Sequence, residues 1–189
     1  GVPVAYEIAL ALQAPLDVLV VRKLGAPLQP ELAVGSIAFG LEEPIFYEDL
    51  VESLAVSQDH LRKEIEAARA EAGRQNELFR EGRPFPDLRG KTVVVADDGL
   101  ATGMSMKAAL EALRRISAGR LIAAVPVAAP EGLKALRSQA DEVACLSEPW
   151  DFMSVSSYYE DFSPTPDAEV TALLKAGRER PGFSLRFRH

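Results

Sequence analysis

The sequence has little sulfur and few aromatic rings. Its 189 residues include one cysteine, one tryptophan and two histidines, and aromatic residues make up 7%. Because Cys145 is the only cysteine, an internal disulfide is excluded, and we expect a protein of the reducing cytoplasm. Cys145 lies in the apolar run 143–146, which predicts a buried structural thiol rather than a nucleophile. His60 falls in a charged segment and His189 near the end, and neither position indicates a general base.

Long apolar runs and an excess of positive charge are also missing. No stretch approaches the roughly 20 apolar residues of a membrane-spanning helix. The net charge is −7 at pH 7 and the pI is about 5.0, which argues against a basic surface for nucleic acid. We therefore expect neither a membrane nor a nucleic acid as a partner. An anionic ligand would have to be held locally, by helix N-termini, a metal ion or a few basic side chains.

Apolar runs and amphipathic segments alternate along the chain. Strand-like runs occupy residues 17–21, 92–96, 121–127 and 143–146. Helix-like segments occupy residues 1–12, 57–80, 106–116, 130–139 and 166–177. This alternation predicts one α/β domain over residues 1–177, with a parallel sheet flanked by helices.

Two segments fall outside this alternation. Residues 24–44 are rich in glycine and proline, which predicts mostly loop with a short hairpin joining residues 34–38 to residues 45–47. Residues 178–189 are polar and basic, and they predict a loose C-terminal tail.

The most informative segment is residues 93–105, with the sequence VVVADDGLATGMS. The apolar run ends in Asp97 and Asp98, at the carboxyl end of a predicted strand, where ligands of parallel sheets bind. The next loop runs into a helix, so backbone N–H groups and the hydroxyls of Thr102 and Ser105 can converge on a phosphate. The two carboxylates are acceptors for ribose hydroxyls and can hold a hydrated Mg²⁺. A capping aspartate with an ordinary strand-to-helix turn is the alternative, but the whole ordered set favours a ligand site.

This segment resembles the phosphoribosyl-diphosphate signature of the type I phosphoribosyltransferases. That signature has four aliphatic or small residues, two acids, a spacer, an aliphatic residue, a spacer, Thr-Gly and small residues, and only Met104 departs from it. Residues 21–27 resemble the Arg-Lys segment before the mobile catalytic loop of adenine-type members. Residues 30–38 and 158–163 resemble a bacterial subgroup of predicted phosphoribosyltransferases. The likeness covers about residues 1–175 and implies a Rossmann-like core with a small flexible hood.

The resemblance implies an enzyme of nucleotide metabolism that moves a 5-phosphoribosyl group from phosphoribosyl diphosphate to a nitrogenous base. Arg22 and Lys23 would neutralise the released diphosphate, although a merely solvated pair is the alternative, and residues 24–44 would close to exclude water. Asp97 and Asp98 would bind the ribose hydroxyls and, through water, Mg²⁺. A homodimer is a further implication. The resemblance assigns the phosphate cradle to Gly99, Leu100, Ala101, Thr102, Gly103, Met104 (through its backbone) and Ser105.

The acceptor base stays open at this point. Residues 149–155 resemble a segment of hypoxanthine-type enzymes whose aromatic ring stacks on the purine. The resemblance implies Phe152 as the stacking residue, with Trp150 and Tyr158 behind it, while a purely core role for these rings is an equal alternative. Ala101 stands where hypoxanthine-type members carry an aspartate acid or base, which argues against that specificity.

One departure from the family opens further alternatives. The bacterial subgroup usually has an N-terminal strand ending in Pro-Arg-Gly-Gly, a loop that wraps the diphosphate. Residues 1–5 resemble the family sequence from the fourth residue of that loop onward. We therefore expect the chain to begin inside the loop. A non-catalytic module that senses phosphoribosyl diphosphate or a nucleotide is therefore one alternative to an enzyme. A partner-dependent or inactive fragment is another.

Overall fold

In a computed structural model, residues 1–40 and 43–178 are described and form two three-stranded sheets with six α-helices. None of the helices in this range is both long enough and apolar enough to cross a bilayer. The predicted tail falls almost wholly outside the described residues. In chain order the elements are α1 (Val2–Leu12), β1 (Val21–Ala26), β2 (Gln29–Ala38), β3 (Ile45–Phe46), α2 (Glu48–Ser53), α3 (Gln58–Arg80), β4 (Val93–Ala96), α4 (Met104–Arg115), β5 (Leu121–Val127), α5 (Pro130–Leu136), β6 (Glu142–Ser147), a 3₁₀ turn (Val155–Tyr158) and α6 (Asp167–Arg178).

The predicted α/β architecture is confirmed by the parallel sheet, whose strand order is β4-β5-β6. The central strand β5 is buried on both faces, as its nearly continuous apolar sequence requires. Helix α4 buries Ala108, Ala109, Ala112 and Leu113 against the rest of the fold. Ile116, the last residue of the predicted helix, lies beyond the helix end at Arg115 and is 42% exposed.

Cys145 lies on β6, at the edge of this sheet. The expectation of a buried thiol is wrong, because an edge strand has sheet on one side only, and Cys145 is only partly buried. Its thiol donates to the carbonyl of Ser147, and partial burial raises its pKa.

The prediction of a strand at residues 17–21 is wrong for residues 17–20. Strand β1 begins at Val21 and pairs antiparallel with β2, outside the parallel sheet. The Val18 amide donates to the Asp17 carboxylate (2.8 Å), and the Val18 carbonyl accepts from Arg80 (2.7 Å). Because side chains take both backbone groups of Val18, a strand ladder cannot form there.

Residues 24–44 were expected to be mostly loop, but most of the described part forms β1 and β2, which pair as a hairpin. The turn places Leu28 in a left-handed conformation (φ 64°), and the ladder is irregular around Gly25. Two side chains of helix α3 contact the backbone at this irregularity. The Gly25 amide donates to the Glu64 carboxylate, and the Gly25 carbonyl lies 2.9 Å from a ring nitrogen of His60. The predicted pairing of residues 34–38 with 45–47 is confirmed, with Ser36 opposite Ile45.

Asp141 supplies a pH-dependent contact between α4 and β5. Its carboxylate accepts from the Leu121 amide (2.6 Å) and pairs with Arg114 (2.7 Å), and these two contacts lower its pKa. A carboxyl group whose pKa is lower in the folded protein than in the unfolded protein stabilises the fold. This stabilisation is fully present above the unfolded-state pKa of about 3.9, and it is lost as the pH falls through the folded-state pKa. We therefore expect Asp141→Asn to lower Tm at pH 7, with a difference from wild type that shrinks below about pH 4.

Thermal unfolding of both proteins between pH 3 and pH 8 measures this difference. Asp59→Asn is the matched control, because Asp59 pairs with Arg62 at an exposed surface where the ion pair contributes little. A Tm difference for Asp141→Asn that does not change with pH would contradict the assignment.

Candidate functional site

A cleft of about 450 Å³ lies beyond the carboxyl end of β4. Its lining comprises residues 97–106, Lys23, residues 154–156 and Phe162. The structure thus brings the two predicted carboxylates, all seven residues of the 99–105 loop and Lys23 to one place. A second, larger cleft of about 550 Å³ lies between α2 and the start of α3, and none of the predicted site residues lines it.

The acidic pair is held by backbone contacts on both sides. Asp97 extends the β4 ladder through its amide, which donates to the Ala124 carbonyl at 3.3 Å, and its Oδ1 accepts from the Asp98 amide at 3.0 Å. The Tyr159 hydroxyl donates to the Asp98 carbonyl at 2.5 Å. The Gly1 nitrogen lies 3.6 Å from Asp97 Oδ1 and 3.3 Å from Asp98 Oδ2. The pair is therefore fixed at the strand end.

The environment of the pair shifts two pKa values. Burial raises the pKa of Asp97, the neighbouring charge of Asp98 raises it further, and the hydrogen bond from the Asp98 amide opposes both. Burial and then the charges of Asp98 and Asp97 raise the pKa of Tyr159. The Tyr159 hydroxyl consequently stays protonated near neutral pH and acts as a donor.

The 99–105 loop is anchored at its start. The Leu100 amide donates to the Val127 carbonyl, and the Leu100 carbonyl accepts from Ala129. Gly99 packs against residue 155, because a Cβ added at Gly99 would lie 2.6 and 2.8 Å from the two methyl groups of Val155. Gly103 has φ 73° and is the N-cap of α4, a conformation that glycine adopts without steric cost.

The backbone amides of residues 101–106 are free to bind a ligand. Within residues 1–40 and 43–178, none of these amides donates to a protein acceptor. Three of them belong to the first turn of α4, where no intrahelical acceptor exists. Amides at a helix N-terminus attract anions, and the hydroxyls of Thr102 and Ser105 lie in the same cleft. The arrangement suits a phosphate group.

The small antiparallel sheet, β1–β3, and the residue that follows it contact two carbonyls of the loop. The Tyr47 hydroxyl donates to the Thr102 carbonyl (3.2 Å), and the Ser36 hydroxyl donates to the Met104 carbonyl (3.4 Å). The side chain of Met104 is in the core, with 2% of the residue exposed. A large residue fits at this position because only its backbone needs to face the ligand.

The predicted basic pair is split by the strand that carries it. Neighbouring side chains of a strand point to opposite faces, and Lys23 lines the cleft whereas Arg22 does not. Arg22 lies towards α3 instead. The pKa of Glu71 is lowered by its hydrogen bond with Arg74 and, to a smaller extent, by the charge of Arg22.

The three aromatic residues proposed for the base do not line the cleft. Trp150 is 90% exposed, and Phe152 stacks on Tyr158 with ring centroids 5.8 Å apart. The ring that does line the cleft is Phe162, which also contacts the Tyr159 ring (5.2 Å between centroids).

Sequence reasoning missed Phe162 and the neighbouring hydroxyls of Ser154 and Ser156. The available signal was their position after the predicted strand at 143–146, since segments that follow parallel strands cross the ligand-binding edge of the sheet. No local spacing links them to the 99–105 loop, from which they are separated by some fifty residues of chain.

Comparison with known proteins agrees with this geometry. The family model described as "Phosphoribosyl transferase domain" matches residues 1–161. A Mycobacterium tuberculosis protein named "Putative phosphoribosyl transferase" is 43% identical over 179 residues, which is 92% of this chain and 39% of that protein. This chain therefore spans less than two fifths of that relative's length.

Two further likenesses point the same way. The uracil phosphoribosyltransferase of Aquifex aeolicus is 40% identical over 59 residues, which is 31% of this chain and 28% of that enzyme. The crystal structure of a Thermus thermophilus protein superposes with a TM-score of 0.74 at 40% identity, covering 92% of this chain and 82% of that one. This chain belongs to the phosphoribosyl transferase domain family.

Proposed function

We propose that this protein transfers the 5-phosphoribosyl group of phosphoribosyl diphosphate to a ring nitrogen of a nitrogenous base. The observation that carries the proposal is the cleft itself, which is lined by two adjacent carboxylates and by a run of six residues whose backbone amides have no protein acceptor among the described residues. Hydrogen bonds to a charged oxygen contribute roughly 1.5–3 kcal/mol each, so several amides together hold a sugar phosphate firmly.

In this reaction the bond from C1 of the ribose to the diphosphate breaks, and a bond from C1 to the ring nitrogen forms. The nitrogen loses its proton to solvent, and diphosphate leaves with the electron pair of the broken bond. The 99–105 loop holds the 5-phosphate, while Asp97 and Asp98 hold the ribose hydroxyls. Their negative charge stabilises the positive charge that develops on the sugar, so positioning and electrostatics supply the rate enhancement. Lys23 faces the leaving diphosphate.

Mg²⁺ is part of the proposal. The two carboxylates fit a hydrated Mg²⁺, which prefers oxygen ligands and keeps several of its waters. Among the described residues no group of three or more His, Cys, Asp or Glu side chains could form a complete protein cage for a metal. We propose that Asp97 and Asp98 would hold the ion through its waters, and that the ion would neutralise diphosphate charge.

A second candidate is a module that binds phosphoribosyl diphosphate or a nucleotide without turning it over. The observation that favours it is the split of the basic pair, because Lys23 is the only lysine or arginine lining the cleft in the described part of the chain. A single cation provides limited charge stabilisation for a leaving diphosphate.

Diphosphate release from phosphoribosyl diphosphate and Mg²⁺, measured across a panel of purines and pyrimidines, separates the two candidates. Transfer predicts release that depends on one class of base. Binding of phosphoribosyl diphosphate in calorimetry, with no release for any base, would instead establish the second candidate. Absence of binding would contradict both.

We further propose that Phe162 is the ring that contacts the acceptor base. Replacing Phe162 with alanine should raise the acceptor KM roughly tenfold or more, because aromatic stacking on a base contributes about 1–3 kcal/mol. The KM for phosphoribosyl diphosphate should change little. Phe152→Ala is the discriminating comparison, since Phe152 stacks on Tyr158 outside the cleft. A larger acceptor KM change for Phe152→Ala than for Phe162→Ala would favour Phe152 as the stacking residue.

A further inference from the structure

We propose that Tyr47 and Ser36 are positioning residues that aim two amides of the 99–105 loop at the bound phosphate. Neither residue lines the cleft, and neither belongs to the loop. They act through hydrogen bonds to the carbonyls of Thr102 and Met104. The inference rests on the proposed function of the cleft.

The two hydroxyls are held in a fixed relation by the small antiparallel sheet. Ser36 lies on β2 and pairs with Ile45 of β3. Tyr47 follows β3 directly, and its amide donates to the Val34 carbonyl of β2 at 3.0 Å. Ser36 is fully buried. A buried hydroxyl is costly without a partner, and its partner is the Met104 carbonyl.

Peptide geometry transmits these contacts to the ligand side of the loop. A peptide unit is planar, and in the trans form its C=O and N–H point in opposite directions. No cis peptide occurs in the described residues. The Thr102 carbonyl shares its peptide plane with the Gly103 amide, and the Met104 carbonyl shares its plane with the Ser105 amide. Holding each carbonyl towards its hydroxyl partner therefore directs the free amide of the same peptide the opposite way, where we place the bound phosphate.

The Thr102–Gly103 peptide needs such a restraint most. Glycine reaches positive and negative φ with similar ease, so the backbone at Gly103 offers little resistance to rotation of this peptide plane. Rotation would replace an amide facing the phosphate with a carbonyl oxygen, which repels it. The Tyr47 hydrogen bond selects the orientation in which the amide faces the cleft.

Ribose 5-phosphate binding to wild type, Tyr47→Phe and Ser36→Ala tests the inference. Loss of one hydroxyl should weaken binding roughly three- to tenfold, the effect of losing one aligned hydrogen bond. Ser53→Ala is the matched control, because the Ser53 hydroxyl also donates to a backbone carbonyl but within α2. Its affinity for ribose 5-phosphate should equal that of wild type.

Amide NMR shifts during the same titration give a readout that a merely structural role would not produce. In wild type the Gly103 and Ser105 amides should both shift as phosphate binds. Tyr47→Phe should reduce the Gly103 shift and retain that of Ser105, whereas Ser36→Ala should do the reverse. Because Ser36 is buried, the Tm of Ser36→Ala is measured as well, so that a loss of folding stability is distinguished from a loss of amide positioning.

The outcomes separate the inference from the proposed function. If wild type binds ribose 5-phosphate and Tyr47→Phe matches it in affinity and in amide shifts, the positioning role is wrong and the cleft assignment stands. A uniform loss of all loop shifts in either variant would likewise overturn the pairwise assignment. If wild type itself does not bind ribose 5-phosphate, both the proposed function and this inference fail.

Discussion

Replacing Asp98 with asparagine is expected to lower kcat/KM for phosphoribosyl transfer by roughly a hundredfold to a thousandfold. Asparagine keeps nearly the same shape and one acceptor oxygen, but it removes the negative charge that faces the developing positive charge on the sugar. It also weakens the hold on a hydrated Mg²⁺. Steady-state diphosphate release, with both substrates varied, measures the change.

The matched control for this variant is Asp151→Asn, which makes the same chemical change at an exposed residue outside the cleft. Its kcat/KM should equal that of wild type. Unchanged turnover in Asp98→Asn, in a protein whose Tm is close to that of wild type, would remove the ribose contacts from the proposed mechanism.

Replacing Arg80 with alanine is expected to destabilise the fold by about 3–5 kcal/mol, the cost of removing one partner from a buried ion pair. Arg80 is 4% exposed, and its guanidinium donates to Asp17, Asn76 and the Val18 carbonyl. The guanidinium also lies 4.5 Å from the centre of the Phe85 ring. One side chain therefore joins residues before β1, the end of α3 and the segment that leads to β4.

Denaturant unfolding measures this loss of stability. Arg62→Ala is the control on the same helix, because Arg62 is exposed and its pair with Asp59 is solvated. Arg62→Ala should leave the unfolding midpoint unchanged. A loss below about 1 kcal/mol for Arg80→Ala would show that its contacts do not contribute as a buried network.

The local structure that the sequence predicted around the cleft is confirmed where its signals are local in the chain. Residues 93–105 combine a strand, its polar end and a helix start within one short segment, so their geometry follows from backbone rules. Away from the site, the start of α3 is equally local, since the Ser57 hydroxyl accepts from the His60 amide three residues later. Such features need no knowledge of distant residues.

The parts that the sequence did not predict depend on contacts between distant residues. Residues 17–21 have the apolar composition of a strand. The guanidinium of Arg80, more than sixty residues away, donates a hydrogen bond to the Val18 carbonyl instead. Phe152 matches a family segment, yet it lies outside the cleft while Phe162 reaches it. The expected homodimer, the cytoplasmic location and the dependence on Mg²⁺ stay predictions.

The contact between Gly99 and Val155 has a consequence for redesign of base selectivity. Val155, which lines the cleft, packs directly against Gly99, the first residue of the 99–105 loop. With the proposed roles of this cleft, we expect a bulkier side chain at residue 155 to press on Gly99 and to weaken binding of the sugar phosphate as well as of the base. Ser154 and Ser156 face the same cleft, so the tunable positions flank Val155 on either side.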